Sequence, residues 1–185
     1  MFEMQQLIDG CRAAVAKGEP PVAVKELLAR AMTHQRQLIA ESAATAPVGL
    51  NVLYQAADLT VINAVWPPHM TLPPHDHRMW VVIGIYGGQE DNSFYRRQAG
   101  SIAGVGGRTL HEGDVLVLGA DAIHSVHNLY RGYTGAIHVY GRDFVGGART
   151  QWDPATLEER PFDYEMARRE FERANRASGK APTAL

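Results

Sequence analysis

The sequence predicts a mainly β fold, an antiparallel sandwich or barrel flanked by helices, on three observations. From about Leu50 short apolar runs recur, at 50–54, 59–66, 80–86, 93–95, 115–118, 123–128 and 134–140. Turn signals separate them, among them Pro67-Pro68, Gly87-Gly88, Gly104-Val105-Gly106-Gly107 and Glu112-Gly113-Asp114. Before and after this region the apolar spacing is helical. Many short strands at roughly regular spacing belong to sandwiches and barrels.

Element by element, Phe2, Leu7, Ile8, Cys11, Ala14 and Val15 share a helical spacing over residues 2–17, and Gly18 supplies a stop. Pro20-Pro21 opens a second helix with Val24, Leu27, Leu28, Ala31, Met32, Leu38 and Ile39 on one face. Residues 42–47, Ser-Ala-Ala-Thr-Ala-Pro, break that pattern. The run 80–86 has the β-branched and aromatic composition of a strand. The Gly-rich stretch 100–107 reads as a loop. A last helix is expected over 163–176, with Tyr164, Met166, Ala167, Phe171 and Ala174 apolar, before a frayed end over 177–185. One domain results: a helical segment 1–46 packing on the barrel or helping a dimer form, a barrel 47–145, and a tail with helix 146–185.

The chain has 185 residues, 45% hydrophobic and 21% charged, which suits one globular domain with a proper core. A net charge of −2 gives no basic surface for nucleic acid or an anionic membrane. The single cysteine, Cys11, allows no intrachain disulfide, and a reducing cytoplasm is expected. The start lacks a basic leader region and no apolar run approaches a membrane span. GxSxG, P-loop and dinucleotide fingerprints are absent, which removes the usual support for serine-nucleophile and nucleotide chemistry.

The chemistry concentrates in Pro73-Pro74-His75-Asp76-His77-Arg78-Met79-Trp80. His75 and His77, two apart on a strand, leave the same face. With His124 delivered from another strand, three imidazoles can hold one divalent transition metal. His138 and Tyr140 share a second strand face, where they could also be a buried pair satisfying each other. His127, three residues from His124, should face the opposite side, and His34, His69 and His111 read as solvent-facing.

The segment from Gly113 through His124 to Asn128 resembles the second motif of the cupins, G-x5-P-x-G-x2-H-x3-N, with Gly119 and Asp121 in place of its proline and second glycine. The first cupin motif, G-x5-H-x-H-x3,4-E-x6-G, is matched by His75, His77 and Gly88. His69 stands at its leading glycine, and Val81 and Val82 fill the two places its glutamate could take. The resemblance spans about 50–140. It implies a double-stranded β-helix, a jelly-roll barrel, with two N-terminal helices and a short C-terminal helix, and with the metal on His75, His77 and His124.

Pro-His-Asp-His followed by Trp, then Ile-His-Ser-Val-His-Asn, then Ala136-Ile137-His138-Val139-Tyr140-Gly141, is similar to the thiol dioxygenases, the cysteine dioxygenase and 3-mercaptopropionate dioxygenase group. That family implies Fe(II) on three histidines, with a Ser-x-His-x-Tyr set behind the metal. His138 and Tyr140 match, while Ala136 replaces the serine. Val81 lies near the place of the cysteine that some members cross-link to the tyrosine, so no cross-link is expected. The family also grips its substrate carboxylate from an early strand; Gln55, Arg78 and Arg142 are the candidates here.

The expected activity is oxidation of a small thiol (3-mercaptopropionate, cysteine or similar) to its sulfinate by O2. Fe(II) is the expected metal, with Ni, Zn or Mn as substitutes, and Tyr140, held by His138, would donate a hydrogen bond to bound oxygen or substrate. The partners are then the thiol and O2, without nucleic acid or membrane, in a monomer or homodimer. A metal-binding cupin of other activity (non-thiol oxygenase, isomerase or lyase) and a non-catalytic metal or ligand-binding module stand as alternatives.

Overall fold

The computed structural model describes residues 3–18, 20–40 and 48–177. Phe2, the break at 42–47 and the end of the chain from residue 178 lie outside the described residues. The elements in chain order are α1 (Met4–Ala16), α2 (Val22–Ala31), a 3₁₀ turn (Met32–His34), α3 (Gln35–Leu38), β1 (Gly49–Gln55), β2 (Thr60–Trp66), β3 (Thr71–Asp76), β4 (Val81–Gly87), β5 (Gln89–Gln98), β6 (Ser101–His111), β7 (Val115–Leu118), β8 (Ile123–His127), β9 (Thr134–Tyr140), β10 (Thr150–Trp152), β11 (Glu159–Pro161) and α4 (Tyr164–Ala177).

The strands form two antiparallel sheets, ordered β1-β2-β9-β4-β7 and β11-β10-β3-β8-β5-β6. The pairings nest: β5 with β6, β4 with β7, β3 with β8 and β2 with β9. Nested pairing of this kind is one long hairpin rolled up, the jelly roll of the cupin barrel.

Strands β2 and β9 are buried along their whole length, which is why they read as unbroken apolar runs. One face of their sheet looks into the barrel, through Ile62, Ile83, Ala136 and Tyr140. The other is covered by the N-terminal helices: Leu7, Cys11, Val24 and Leu28 pack on Val61, Val82, Ile137 and Val139. Cys11 lies in this layer, and burial pushes its thiol up to about 12, so it is inert at neutral pH. Helix α4 closes the opposite end, where Phe171 stacks on Trp66 with centroids 5.2 Å apart.

The stretch 100–107 is not a loop. It belongs to β6, paired with β5 along its length. The register skips Val105 between Phe94↔Gly106 and Tyr95↔Gly104, a bulge that Gly106 accommodates at φ 145°. Gly107 is required for another reason: a Cβ there would lie 2.8 Å from the Asn92 carbonyl oxygen. The glycines permit close pairing of a long ribbon rather than a loop.

Asn128 ties the end of β8 to the rest. Its Nδ2 donates toward the carbonyls of Trp66, Pro67 and Gly132, and its Oδ1 accepts the Tyr130 N–H. Replacing Asn128 with Ala leaves several buried polar groups unpaired. Urea unfolding should then show a loss of about 2–3 kcal/mol.

Candidate metal centre

The site is built on the β3–β8 ladder. The register runs Leu72↔Val126 and then His75↔His124, so Pro73-Pro74 add one residue on the β3 side. Proline has no N–H to contribute to a ladder, and a bulge is where that loss matters least. The bulge brings His75 directly opposite His124, ring centroids 4.7 Å apart. His77 follows just past the strand end, on the same side. Ligand nitrogens of His75, His77 and His124 all lie within 4.8 Å of one another, and all three rings are buried.

Hydrogen bonds fix which nitrogens face inward. His75 Nδ1 lies 2.8 Å from the Pro73 carbonyl, which can only accept, so Nδ1 carries the proton and Nε2 keeps its lone pair. His124 Nδ1 donates to Asn92 Oδ1 at 2.7 Å. The Asn92 orientation is itself set by its Nδ2, which donates to Glu90 Oε1 at 3.0 Å. His77 Nε2 and His124 Nε2 meet at 2.9 Å, and with the His124 nitrogen bare the proton between them belongs to His77. Burial pulls His75 down to about 4, and pulls His77 and His124 well below the usual imidazole range, with mutual repulsion adding to it. His75 and His124 present bare Nε2 atoms, and a divalent metal would complete the set by moving the His77 proton from Nε2 to the unpartnered Nδ1, so the residues fit the group.

A cavity of about 540 Å³ opens over the three histidines. His138 and Tyr140 line it beside them, with His138 Nδ1 3.0 Å from Tyr140 Oη. Burial raises the Tyr140 hydroxyl above its ordinary value, so it stays protonated. Trp66, Leu72, Val126, Phe162 and Phe171 make the wall apolar. His127 faces away, toward Ser125 and Thr71, and His34, His69 and His111 are exposed.

Of the residues expected to grip a carboxylate, none lines the cavity. Gln55 is exposed and donates to Asp143; Arg142 is exposed beyond the end of β9. Arg78, at φ 52°, turns outward and donates to Thr150 Oγ1 at 2.6 Å. Two cations line the cavity: Arg168 is exposed and paired with Glu165 and Glu172, whereas Arg149 is buried, only 6% exposed. Its guanidinium carbon lies 3.7, 4.4 and 4.7 Å from the Phe144, Phe162 and Tyr164 ring centroids, and Nε donates to the Tyr164 hydroxyl. Among the described residues no carboxylate pairs with it. Asp76, between the two histidines, accepts the Thr150 N–H at 2.8 Å and so pins the strand next to Arg149. Only the tail's polar composition preceded this arginine in the sequence, and no motif marked it.

No family model matches the chain. Among solved structures it is similar to BH2720 from Bacillus halodurans, at 12% identity over 56% of this chain and 77% of that one, with a TM-score of 0.50. It is also similar to a protein with a double-stranded β-helix domain from Klebsiella pneumoniae, at 12% identity over 61% and 87%, TM-score 0.47. A cupin family protein from Methanocaldococcus jannaschii matches at 14% identity over 52% and 81%, TM-score 0.43. Likeness at these identities concerns the fold alone. Fold and site together define the class: a jelly-roll β-barrel with a buried three-histidine cluster able to hold a metal. No helix among the described residues is long and apolar enough to cross a membrane.

Two outcomes follow. His124→Ala should lose bound metal, read as metal per chain after dialysis. The folded state keeps its imidazoles neutral down to about 4 at His75, whereas unfolded histidines protonate near 6.5. The unfolded chain thus binds more protons between those values, and stability falls as pH drops through that window. The urea midpoint of metal-free protein should be level above pH ~7 and decline from about 6.5 toward 4; a flat profile would mean solvated rings.

Proposed function

We propose that the protein is a mononuclear non-haem iron thiol dioxygenase acting on a thiol that also carries a carboxylate. The observation that carries this reading is a ligand set with no carboxylate, facing a cavity whose buried cation, Arg149, has no carboxylate partner among the described residues. Three neutral imidazoles leave a divalent ion its full charge, so the site favours an anionic ligand, and a thiolate is a soft and strong one. Fe(II), held by His75, His77 and His124, would supply the redox chemistry by which a thiolate and O2 become a sulfinate, R–S⁻ + O2 → R–SO2⁻.

The chain's own groups orient and protect the substrate. Arg149, stacked between aromatic rings, presents its remaining N–H groups to the substrate carboxylate in fixed geometry. Tyr140, held by His138, places its hydroxyl at the cavity wall to hydrogen-bond the reacting groups. The apolar wall keeps water away from the sulfur. The volume of about 540 Å³ exceeds what a three-carbon thiol needs. That favours a longer mercapto acid and, as a second reading, a metal cupin acting on a larger apolar acid without sulfur.

Iron-loaded protein should consume oxygen with 3-mercaptopropionate, cysteine or a longer mercapto acid and release the sulfinate. No uptake with any thiol would sink the assignment. Arg149→Gln should raise KM for the carboxylate-bearing thiol roughly 10–100-fold, the worth of a charged hydrogen bond. It should leave KM for cysteamine, which lacks the carboxylate, almost unchanged.

A further inference from the structure

Glu90 and Asn92 lie two apart on β5, and both side chains are buried, at 1% and 3% exposure. One oxygen of Glu90 is occupied by Asn92 Nδ2, and Asn92 in turn holds His124. Among the described residues the other, Oε2, has no hydrogen-bond partner, nor has Nε2 of His138. These two orphans face each other across the barrel at 3.8 Å. A buried unpaired polar atom is costly, and a buried carboxylate more so. A small approach that puts the His138 proton on Nε2 relieves both at once.

We propose that Glu90 is a positioning residue whose carboxylate holds a proton on His138 Nε2. Nδ1 is then left as the acceptor for the Tyr140 hydroxyl, 3.0 Å away. Glu90 thereby completes the Tyr140–His138 pair from a strand of the opposite sheet, where Ala136 offers the ring no hydroxyl. Tyr140 turns its oxygen lone pairs to the cavity, the reverse of the donor role expected from the sequence. On the thiol reading, on which this last consequence rests, that oxygen accepts the proton shed by the substrate. The S–H bond breaks, Tyr140 takes that proton and passes its own to His138 Nδ1, and the resulting imidazolium lies against the Glu90 carboxylate. Two protons move in relay and no oxidation state changes. The same glutamate, through Asn92, keeps His124 Nε2 bare, so one carboxylate serves both a metal-binding ring and the hydroxyl opposite.

The test is a ¹⁵N spectrum of the imidazoles in the metal-free, labelled full chain at neutral pH. His138 should carry a proton on Nε2. In Glu90→Gln the side-chain carbonyl keeps Asn92 and the amide N–H groups face His138, so the proton should leave Nε2 for Nδ1 while His75 is unchanged. A bare Nε2 in the wild-type protein, or the same tautomer in both proteins, overturns the proposal. The wild-type measurement decides even where the variant fails to fold. In iron-loaded protein, Glu90→Gln should lower kcat for a thiol roughly 10–100-fold at unchanged KM, with partial recovery in Glu90→Asp. Equal kcat per bound iron would overturn it as well, whereas absence of thiol turnover in the wild-type protein removes the thiol reading and leaves the tautomer result to decide on Glu90.

Discussion

In the β3–β8 ladder, two prolines occupy a place where a missing N–H is tolerated, and the extra residue they add aligns His75 with His124. A strand repeats every two residues, so a one-residue change of register would turn a ligand to the outside. The same Pro73 supplies the carbonyl that fixes the His75 ring. Backbone pairing, ring tautomer and ligand spacing therefore share a cause. The helices behind β2 and β9 matter to the site indirectly, by burying the outer face of the sheet that carries His138 and Tyr140.

Electrostatics then decides what such a cluster can accept. Three rings are held neutral by burial, and Arg149 stands nearby as a buried cation that depresses His75 and His77 further. In the metal-free protein this arrangement is uncomfortable in acid, because each added proton meets another ring or the guanidinium. Adding a divalent ion raises the positive charge again. The surroundings are thus matched to ligands that bring negative charge with them, one unit at the metal and another at Arg149. On the proposed function, a thiolate with a carboxylate at its far end would meet both demands with one molecule.

Much of the barrel was legible because its strands alternate or run apolar between glycine and proline turns, and the three histidines were legible because their spacing has few other uses. Four strands lie outside the apolar runs: β3, where only the His75/His77 pair was read on a strand, β6, and the short β10 and β11 of the polar tail. In β3 the prolines argue against a strand, yet they sit in its bulge; in β6 the glycines read as a loop, yet Gly107 is there to let Asn92 approach. Arg149 was invisible because its role depends on Phe144, Phe162 and Tyr164 folding around it, contacts that no local pattern encodes. Arg78, nearer to the histidines in sequence, is carried outward by its positive φ to Thr150. Glu90 was masked for a related reason: within Gln89-Glu90-Asp91-Asn92 it looks like turn chemistry, although alternate residues of that stretch point inward.

The positions of the carboxylates connect these features. Of the two valines, Val81 faces the barrel interior and puts no carboxylate there, while Val82 packs outward under the N-terminal helices. Glu90 keeps one inside the barrel, one asparagine away from His124 and facing His138. At the first place a carboxylate would compete with an anionic substrate for the ion. At the second it leaves the ion's charge available and spends its own on ring orientation. Placement of this kind gives His124 and His138 defined tautomers without putting a carboxylate on the ion: the buried acceptor that sets them comes from β5, on the opposite sheet from the Tyr140 hydroxyl it serves.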